Sequence, residues 1–283
     1  MRRLYAGQGL LPDLRVAVAF DSRLDVYLHL LALNGLGVSL VPLNMGGTDY
    51  EIARLVEHCD CSLAVSADEH AGRLRTLAGP ATACRVLSLA ELHAGAGLGP
   101  ATVAGVGSRE AALLYTSGTT GHPKGCMLTN AYFLALGRWY NGLGGRCELT
   151  SSDRLLTPLP PHHMNALCVS FTAALLCGGC VVQLDRFHPS SWWQTVREES
   201  ATVIHYLGVM PAILLTLPAT EDDDIGGQVR FGFGAGCDPR HHRLFEQRFG
   251  FPLLEAWSMT ETGAGAVTIA DREPRHVGQR CIG

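Results

Sequence analysis

The chain has 283 residues, 47% hydrophobic and 17% charged, with a formal net charge of −4. That length can bury a substantial core in one large or two ordinary domains, and the composition lies far from the disordered class. The charge carries no basic run, which argues against nucleic acid or an anionic membrane as partner. The ten cysteines are Cys59, Cys61, Cys84, Cys126, Cys147, Cys168, Cys177, Cys180, Cys237 and Cys281. They are scattered rather than framed, and no secretory signal opens the chain. They read as reduced, mostly buried thiols of a cytoplasmic protein.

In chain order, "LRVAVAF" (14–20) predicts a buried strand, and "RLDVYLHLLALNG" (23–35) a helix closed by Gly35. A strand follows at 38–43. Thr48 and Glu51 stand in capping-box spacing ahead of a helix. Strands at 61–67 and 84–89 flank a charged helix. Apolar strands alternating with amphipathic helices give an α/β class, mainly parallel sheets with helices on both faces. The Gly/Ala-rich stretch 94–108 is the expected internal boundary. Beyond it the pattern predicts strands at 111–115, 154–157, 180–184, 202–208 and 229–235. Helices are expected from about 130, within 165–177, and at 190–200, 210–217 and 239–249.

The uncharged stretch Met164–Leu184 is long enough to span a bilayer, but "CGGC" (177–180) breaks it. A buried helix ending at Gly178 and a strand after it fit better, so no integral membrane segment is expected. "CGGC" also has redox spacing, yet its apolar setting favours structural cysteines. His241 and His242 are expected to be solvated on their helix, and "TLPATEDDDIGG" (216–227) to be a solvated connection.

"YTSGTTGHPKG" (115–125) follows an apolar strand. Glycines and small hydroxyl residues let backbone N–H groups approach phosphate oxygens, and a lysine adds a point charge. It is not a Walker A loop, because Gly125 stands after Lys124 where Ser or Thr would be needed. A phosphate-loop kinase or NTPase is therefore the weakest reading. Glu261 can bind a hard cation or lie solvated in a turn, Trp257 at a strand end can stack or pack into the core, and His163 can border an acid pocket. That pocket is expected to be bordered by His163, Trp192 or Trp193, and Met210. His162-His163 lacks a second ligand pair at zinc spacing.

Residues 115–125 resemble the phosphate loop of the adenylate-forming (AMP-binding) enzymes, in particular acyl-CoA ligases of the carnitine/crotonobetaine type. "LPPHHMNA" (159–166), "GFGAGC" (232–237) and "EAWSMTET" (255–262) resemble further segments of that family in the required order. Trp257-Ser258 stands where the family usually has Tyr-Gly. The resemblance implies ATP, Mg²⁺ and coenzyme A as participants and a small carboxylic acid as substrate. It implies catalytic roles for Lys124, Thr260, Glu261 and His163, with Glu261 on the metal. Nucleotide contacts are implied for Thr116, Ser117, Gly118, Thr119, Thr120, Gly121 and Lys124. They are also implied for Gly234, Ala235, Gly236, Cys237, Ala256, Trp257, Ser258, Met259 and Thr260.

Against the family pattern the chain reads as most of the large N-terminal domain. It lacks a leading helix-and-strand segment and stops before a ribose-binding aspartate, a hinge and a C-terminal lid carrying a second lysine. Two readings stay open: a ligase forming an acyl-adenylate and then a coenzyme A thioester, and a fragment that binds nucleotide or acyl ligand without turnover.

Overall fold

A computed structural model of the chain describes residues 1–21, 23–80, 82–95, 106–116, 123–267 and 274–279. The chain forms two compact units, Met1–Phe133 with Pro161–Met164, and Leu134–Pro160 with Asn165–Gly283. Of the Gly/Ala-rich stretch, residues 96–105 lie outside the described residues.

In the first unit, β1 (Arg15–Ala19), β2 (Ser39–Pro42), β3 (Leu63–Ser66), β4 (Arg85–Ser88), β5 (Glu110–Thr116) and β6 (Lys124–Thr129) form one sheet in the order β4-β3-β1-β2-β5-β6. The pairings are parallel except β5 with β6, which is antiparallel. Strands β2 and β3 are buried at every position, as parallel strands between helical layers must be. The unit also contains α2 (Arg23–Asn34), α3 (Asp49–His58), α4 (Asp68–Ala78) and α5 (Leu89–Ala94). The predicted capping box forms: Glu51 N donates to Thr48 Oγ1 at 3.3 Å and Thr48 N to Glu51 Oε2 at 2.8 Å. Ala17, Val41, Ile52, Val56, Leu74 and Leu113 are among the residues of its core.

The sequence reading gave no element before residue 14, yet α1 (Arg2–Ala6) precedes β1. Tyr5 on α1 is fully buried and its hydroxyl meets Nδ1 of His29 on α2. At the start of β5, Glu110 receives Arg15 Nε and Nη2 at 2.7 and 2.8 Å and Ser39 Oγ at 2.7 Å. Burial opposes ionisation of Glu110, but these donors hold its pKa below the ordinary value. One carboxylate thus ties the ends of β1, β2 and β5 together.

In the second unit, β7 (Arg154–Thr157), β8 (Cys180–Gln183), β9 (Val203–Leu207), β10 (Phe231–Ala235), β11 (Leu253–Met259) and β12 (Gly263–Val267) form a sheet in the order β12-β11-β10-β9-β7-β8. Only the β11–β12 pairing among these described strands is antiparallel. The division between the units falls inside α6 (Asn130–Asn141). The helix expected within 165–177 is a π-turn, Asn165–Ser170, running into α7 (Phe171–Cys177), which ends at a left-handed Gly178 as predicted. Cys177 and Cys180 are free thiols. α8 (Trp192–Glu198), α9 (Val209–Thr216) and α10 (Pro239–Phe249) complete the unit. No helix among the described residues is long and apolar enough to cross a membrane.

Two expectations are corrected in this unit. His242 is buried on the inner face of α10, where its Nε2 lies 3.0 Å from the Leu253 carbonyl and 3.2 Å from Glu246. Burial opposes the Glu246 charge, but bonds from His242, Arg275 and the Leu253 N–H draw its pKa down to about 2. The acidic connection 216–227 is anchored rather than wholly solvated: Asp223 is buried and accepts Arg248 Nε at 2.6 Å.

Asp153, just before β7, gathers three parts of the second unit. It accepts Arg230 Nη1 at 2.7 Å, Thr202 Oγ1 at 2.8 Å and the Thr150 N–H at 2.8 Å. Burial would raise its pKa, yet these donors lower it. The native state therefore binds a proton less readily than the unfolded chain. The stabilisation is present above the ordinary carboxylate pKa and is lost as pH falls through the depressed native one. Asp153→Ala, which strands a buried set of donors, should cost about 2–4 kcal/mol in urea unfolding. Asp153→Asn should flatten the acid limb of stability against pH. Wild-type acid sensitivity in that variant would remove Asp153 from this role.

Candidate functional site

In the first unit the Gly/Thr segment is carried by a hairpin. β5 and β6 are in register so that Thr116 stands opposite Lys124, and Tyr115 opposite Gly125. The sequence reading missed β6: Lys124 begins a strand instead of closing a loop that leads to a helix. Lys124 is exposed, and Tyr115, one residue before Thr116, bonds His58 Nδ1 at 2.8 Å. Ser117, Gly118, Thr119, Thr120 and Gly121 lie outside the described residues. What the structure gives is the two ends of the segment, held facing each other by strand pairing.

His163 also belongs to the first unit and is exposed. Its ring lies 4.5 Å from that of His162. Surrounding protein and the Arg23 charge lower the pKa of His163, and His162 is drawn down to about 4 chiefly by burial. Both imidazoles are neutral at pH 7, so His163 can offer a hydrogen bond rather than a full charge.

In the second unit the C-terminal ends of β9, β10 and β11 lie together. A Cβ on Gly208, after β9, would stand 1.7 Å from the Gly236 carbonyl oxygen; one on Gly234 would stand 2.3 Å from the Tyr206 oxygen. Only glycine permits these approaches. Past β10, Gly236 is left-handed at φ +77°, and the Cys237 N–H donates to buried Glu255 Oε1 at 2.6 Å. That bond fixes the turn against β11.

Gly234, Ala235, Ala256 and Ser258 line a cleft of about 280 Å³, mouth included, together with Trp139, Asn165 and Phe233. Alternation along β11 sends Trp257 and Met259 elsewhere, and they are 42% and 43% exposed. Thr260 and Glu261 lie in the turn between β11 and β12, and Glu261 is exposed. Of the expected acid pocket, Trp192, Trp193 and Met210 do line one cavity of the second unit, with Tyr206 and Phe245, but His163 is not among its lining residues and Trp192 and Met210 are 1% and 3% exposed. The cleft residues Trp139, Asn165 and Phe233, and the turn-fixing Glu255, were missed. Asn165 follows His163 by two residues and Phe233 lies within "GFGAGC", so proximity to the singled-out segments was the available signal.

The profile of the AMP-binding enzyme family matches residues 2–283, and the chain belongs to that family. Sulfoacetate–CoA ligase of Cupriavidus necator is 41% identical over 175 residues, 61% of this chain and 32% of that protein. Crotonobetaine/carnitine–CoA ligase of Salmonella arizonae is 31% identical over 157 residues, 56% of this chain and 30% of that protein. ATP-bound MatB from Rhodopseudomonas palustris superposes with a TM-score of 0.81 at 23% identity, covering all of this chain and 56% of MatB. The N-terminal domain of FACL13 from Mycobacterium tuberculosis gives 0.82 at 18% identity, covering 95% of this chain and 69% of that one. The fold is that of the N-terminal domain of adenylate-forming enzymes. The aligned stretches span about a third of the curated ligases.

The glycine contacts have a direct consequence. Gly234→Ala must displace the backbone of β9 and should cost about 1–3 kcal/mol in thermal or urea unfolding. Ala235→Gly, one position on, should cost less than about 1 kcal/mol. Equal stability of Gly234→Ala and wild type would show that the strand ends are not tightly apposed.

Proposed function

We propose that the chain is an adenylation domain, residues 1–283, that activates a small carboxylic acid with ATP, the adenylate then passing to coenzyme A. The observation that carries this reading is family membership over nearly the whole chain, joined to a Gly/Thr segment whose ends, Thr116 and Lys124, are paired in one hairpin. The activities for which the relatives are named, acid–CoA ligation of sulfoacetate and of crotonobetaine or carnitine, support the acid–thiol class.

In this reading the carboxylate attacks the α-phosphate, a P–O bond to pyrophosphate breaks, and an acyl-adenylate forms. The thiol of coenzyme A then adds at the acyl carbon and AMP leaves. The protein's part is to position two anions and to meet the charge they share. Lys124 and the backbone of 116–121 are assigned to the phosphates. Gly234–Cys237 and the Ala256–Thr260 segment are assigned to the adenine, with exposed Trp257 as its stacking face. His163, neutral, orients the carboxylate.

Among the described residues no three or more His, Cys, Asp or Glu gather to hold a metal. Glu261 is one exposed carboxylate, which fits Mg²⁺ because that ion takes one or two protein carboxylates and completes its shell with phosphate oxygens and water. When bound, the ion would supply Lewis-acid neutralisation of the phosphates.

Titration calorimetry with MgATP tests the assignment. Lys124→Ala should weaken binding by about 1.5–3 kcal/mol, the worth of a charge-assisted contact. CTP and UTP should compete poorly. Equal affinity of wild type and Lys124→Ala, or equal competition by pyrimidine triphosphates, would contradict it. ATP binding with no acid-dependent pyrophosphate exchange would favour a binding module.

A further inference from the structure

The first unit holds a pair of thiols that the ligase reading does not use. Cys59 caps the C-terminal end of α3, and Cys61 stands two residues on, just before β3. Asp60 between them is left-handed at φ +52°, a backbone that residues other than glycine rarely adopt. That turn brings the two sulfurs to 3.1 Å. Both thiols are free and buried in the core cluster with Leu74 and Leu113. The residues beside them, His58 and Asp60, are exposed, so the pair lies directly beneath the surface.

The two sulfurs are not equivalent. A bond from Cys61 holds the Cys59 pKa below the ordinary thiol value, against burial, and the Arg15 charge acts in the same direction. The shared bond and burial push Cys61 well up, so it keeps its proton. Arg15 Nη1 also donates to the Cys59 carbonyl at 3.2 Å, which fixes the cation beside the pair. Cys59 is thus the sulfur that ionises, and Cys61 the one that donates to it. Cys84, a partly buried thiol packed on the same cluster, has its pKa raised to about 11 by burial and stays protonated.

One residue joins the pair to the Gly/Thr segment. His58, next to Cys59, meets the Tyr115 hydroxyl with its Nδ1 at 2.8 Å, and the two rings stand edge to face at 5.6 Å. Tyr115 precedes Thr116 on β5. A disulfide needs its sulfurs about 2.05 Å apart, so oxidation must draw this pair together by about 1 Å. Cys61 leads into β3, which is paired on both sides, by β1 and β4. The end of α3 is therefore the part that yields, and the bond from His58 to Tyr115 has little length to spare for such a shift.

We propose that Cys59 and Cys61 are a modification site, a dithiol that hydrogen peroxide converts to a disulfide, and that its state passes through His58 and Tyr115 to the Gly/Thr segment. Where it concerns ATP, this rests on the ligase reading above. The Cys59 thiolate attacks one peroxide oxygen: an S–O bond forms, the O–O bond breaks, and the departing hydroxide takes up the proton Cys59 released on ionising. The Cys61 sulfur then attacks the Cys59 sulfenate. S–S forms, S–O breaks, and hydroxide leaves with the Cys61 proton as a second water. The two thiols lose two electrons and one peroxide gains them. A dithiol reductant reverses the change by exchange.

The test treats the 283-residue chain with hydrogen peroxide, alkylates the remaining thiols and maps tryptic peptides. The peptide 55–73 carries both cysteines and no other, and should appear unalkylated and lighter by two hydrogens. Dithiothreitol should restore two alkylated thiols. Cys84→Ser should react as wild type does, and Cys61→Ser should stop at a sulfenate on Cys59 that dimedone traps. In the nucleotide-free chain, hydrogen exchange around Tyr115 should quicken on oxidation of wild type and not of Cys61→Ser. His58→Phe should show the quickened exchange while still reduced. MgATP affinity of wild type should fall about fivefold on oxidation, the low end of ordinary coupling between sites. Absence of the disulfide from 55–73, oxidation of Cys84 while Cys59 and Cys61 remain alkylatable, or a disulfide that leaves exchange around Tyr115 unchanged would each overturn the proposal. Failure of the reduced chain to bind MgATP, with the exchange response intact, would instead overturn the ligase reading.

Discussion

The close approach of two strand ends is the constraint on which the second unit's site depends. Parallel pairing sends β9, β10 and β11 out of the sheet on one edge, and backbone atoms meet there where side chains would ordinarily keep them apart. The Gly236 carbonyl occupies space a Cβ on Gly208 would need, 1.7 Å away. Glycine is thus a packing requirement at 208 and 234, and a requirement of the left-handed backbone at 236. Glu255 completes the arrangement. Its buried carboxylate accepts the Cys237 N–H and fixes the turn that follows β10. The cleft and the exposed face of Trp257 are two sides of the same β11 strand, separated by the two-residue period of its side chains.

The first unit solves a different problem, holding the two ends of a glycine-rich segment. Its means are strand pairing and one half-buried ion pair. Arg15, Ser39 and Glu110 lock the beginnings of β1, β2 and β5, so the far end of β5 is carried by a rigid sheet. β6 then returns antiparallel and sets Lys124 against Thr116. A lysine on a strand is better fixed than one on an open loop, which suits a group assigned to meet phosphate charge. Phosphate handling in such a site rests on backbone N–H groups and one cation, and both depend on where the hairpin starts and ends.

Most of the architecture was legible because it rests on local rules. Strands of Val, Leu and Ala between amphipathic helices gave the parallel class, Thr48 and Glu51 gave the start of α3, and Gly178 gave the end of α7. The misses share a cause, since each is decided by a partner on another element rather than by the segment's own pattern. "KGCMLT" became β6 through pairing with β5, and "GAGAV" became β12 through β11, although neither has strong strand propensity. α1 is held by Tyr5 against His29. His242 looked solvated beside His241 and Arg243, but α10 turns it onto the Leu253 carbonyl. The segments that carry the family resemblance were readable as motifs. The residues behind them, Asn165 and Glu255, were not, because their partnerships form only once β10, β11 and the π-turn are packed.

The central claim is that the hairpin segment of the first unit engages the phosphates of ATP. Hydrogen–deuterium exchange of the 283-residue chain with and without MgATP tests it most directly. Slowed exchange in peptides covering 115–125, with little change in those covering α4, is the predicted result. ATP binding that leaves those peptides unprotected, or protects other segments instead, would contradict the account.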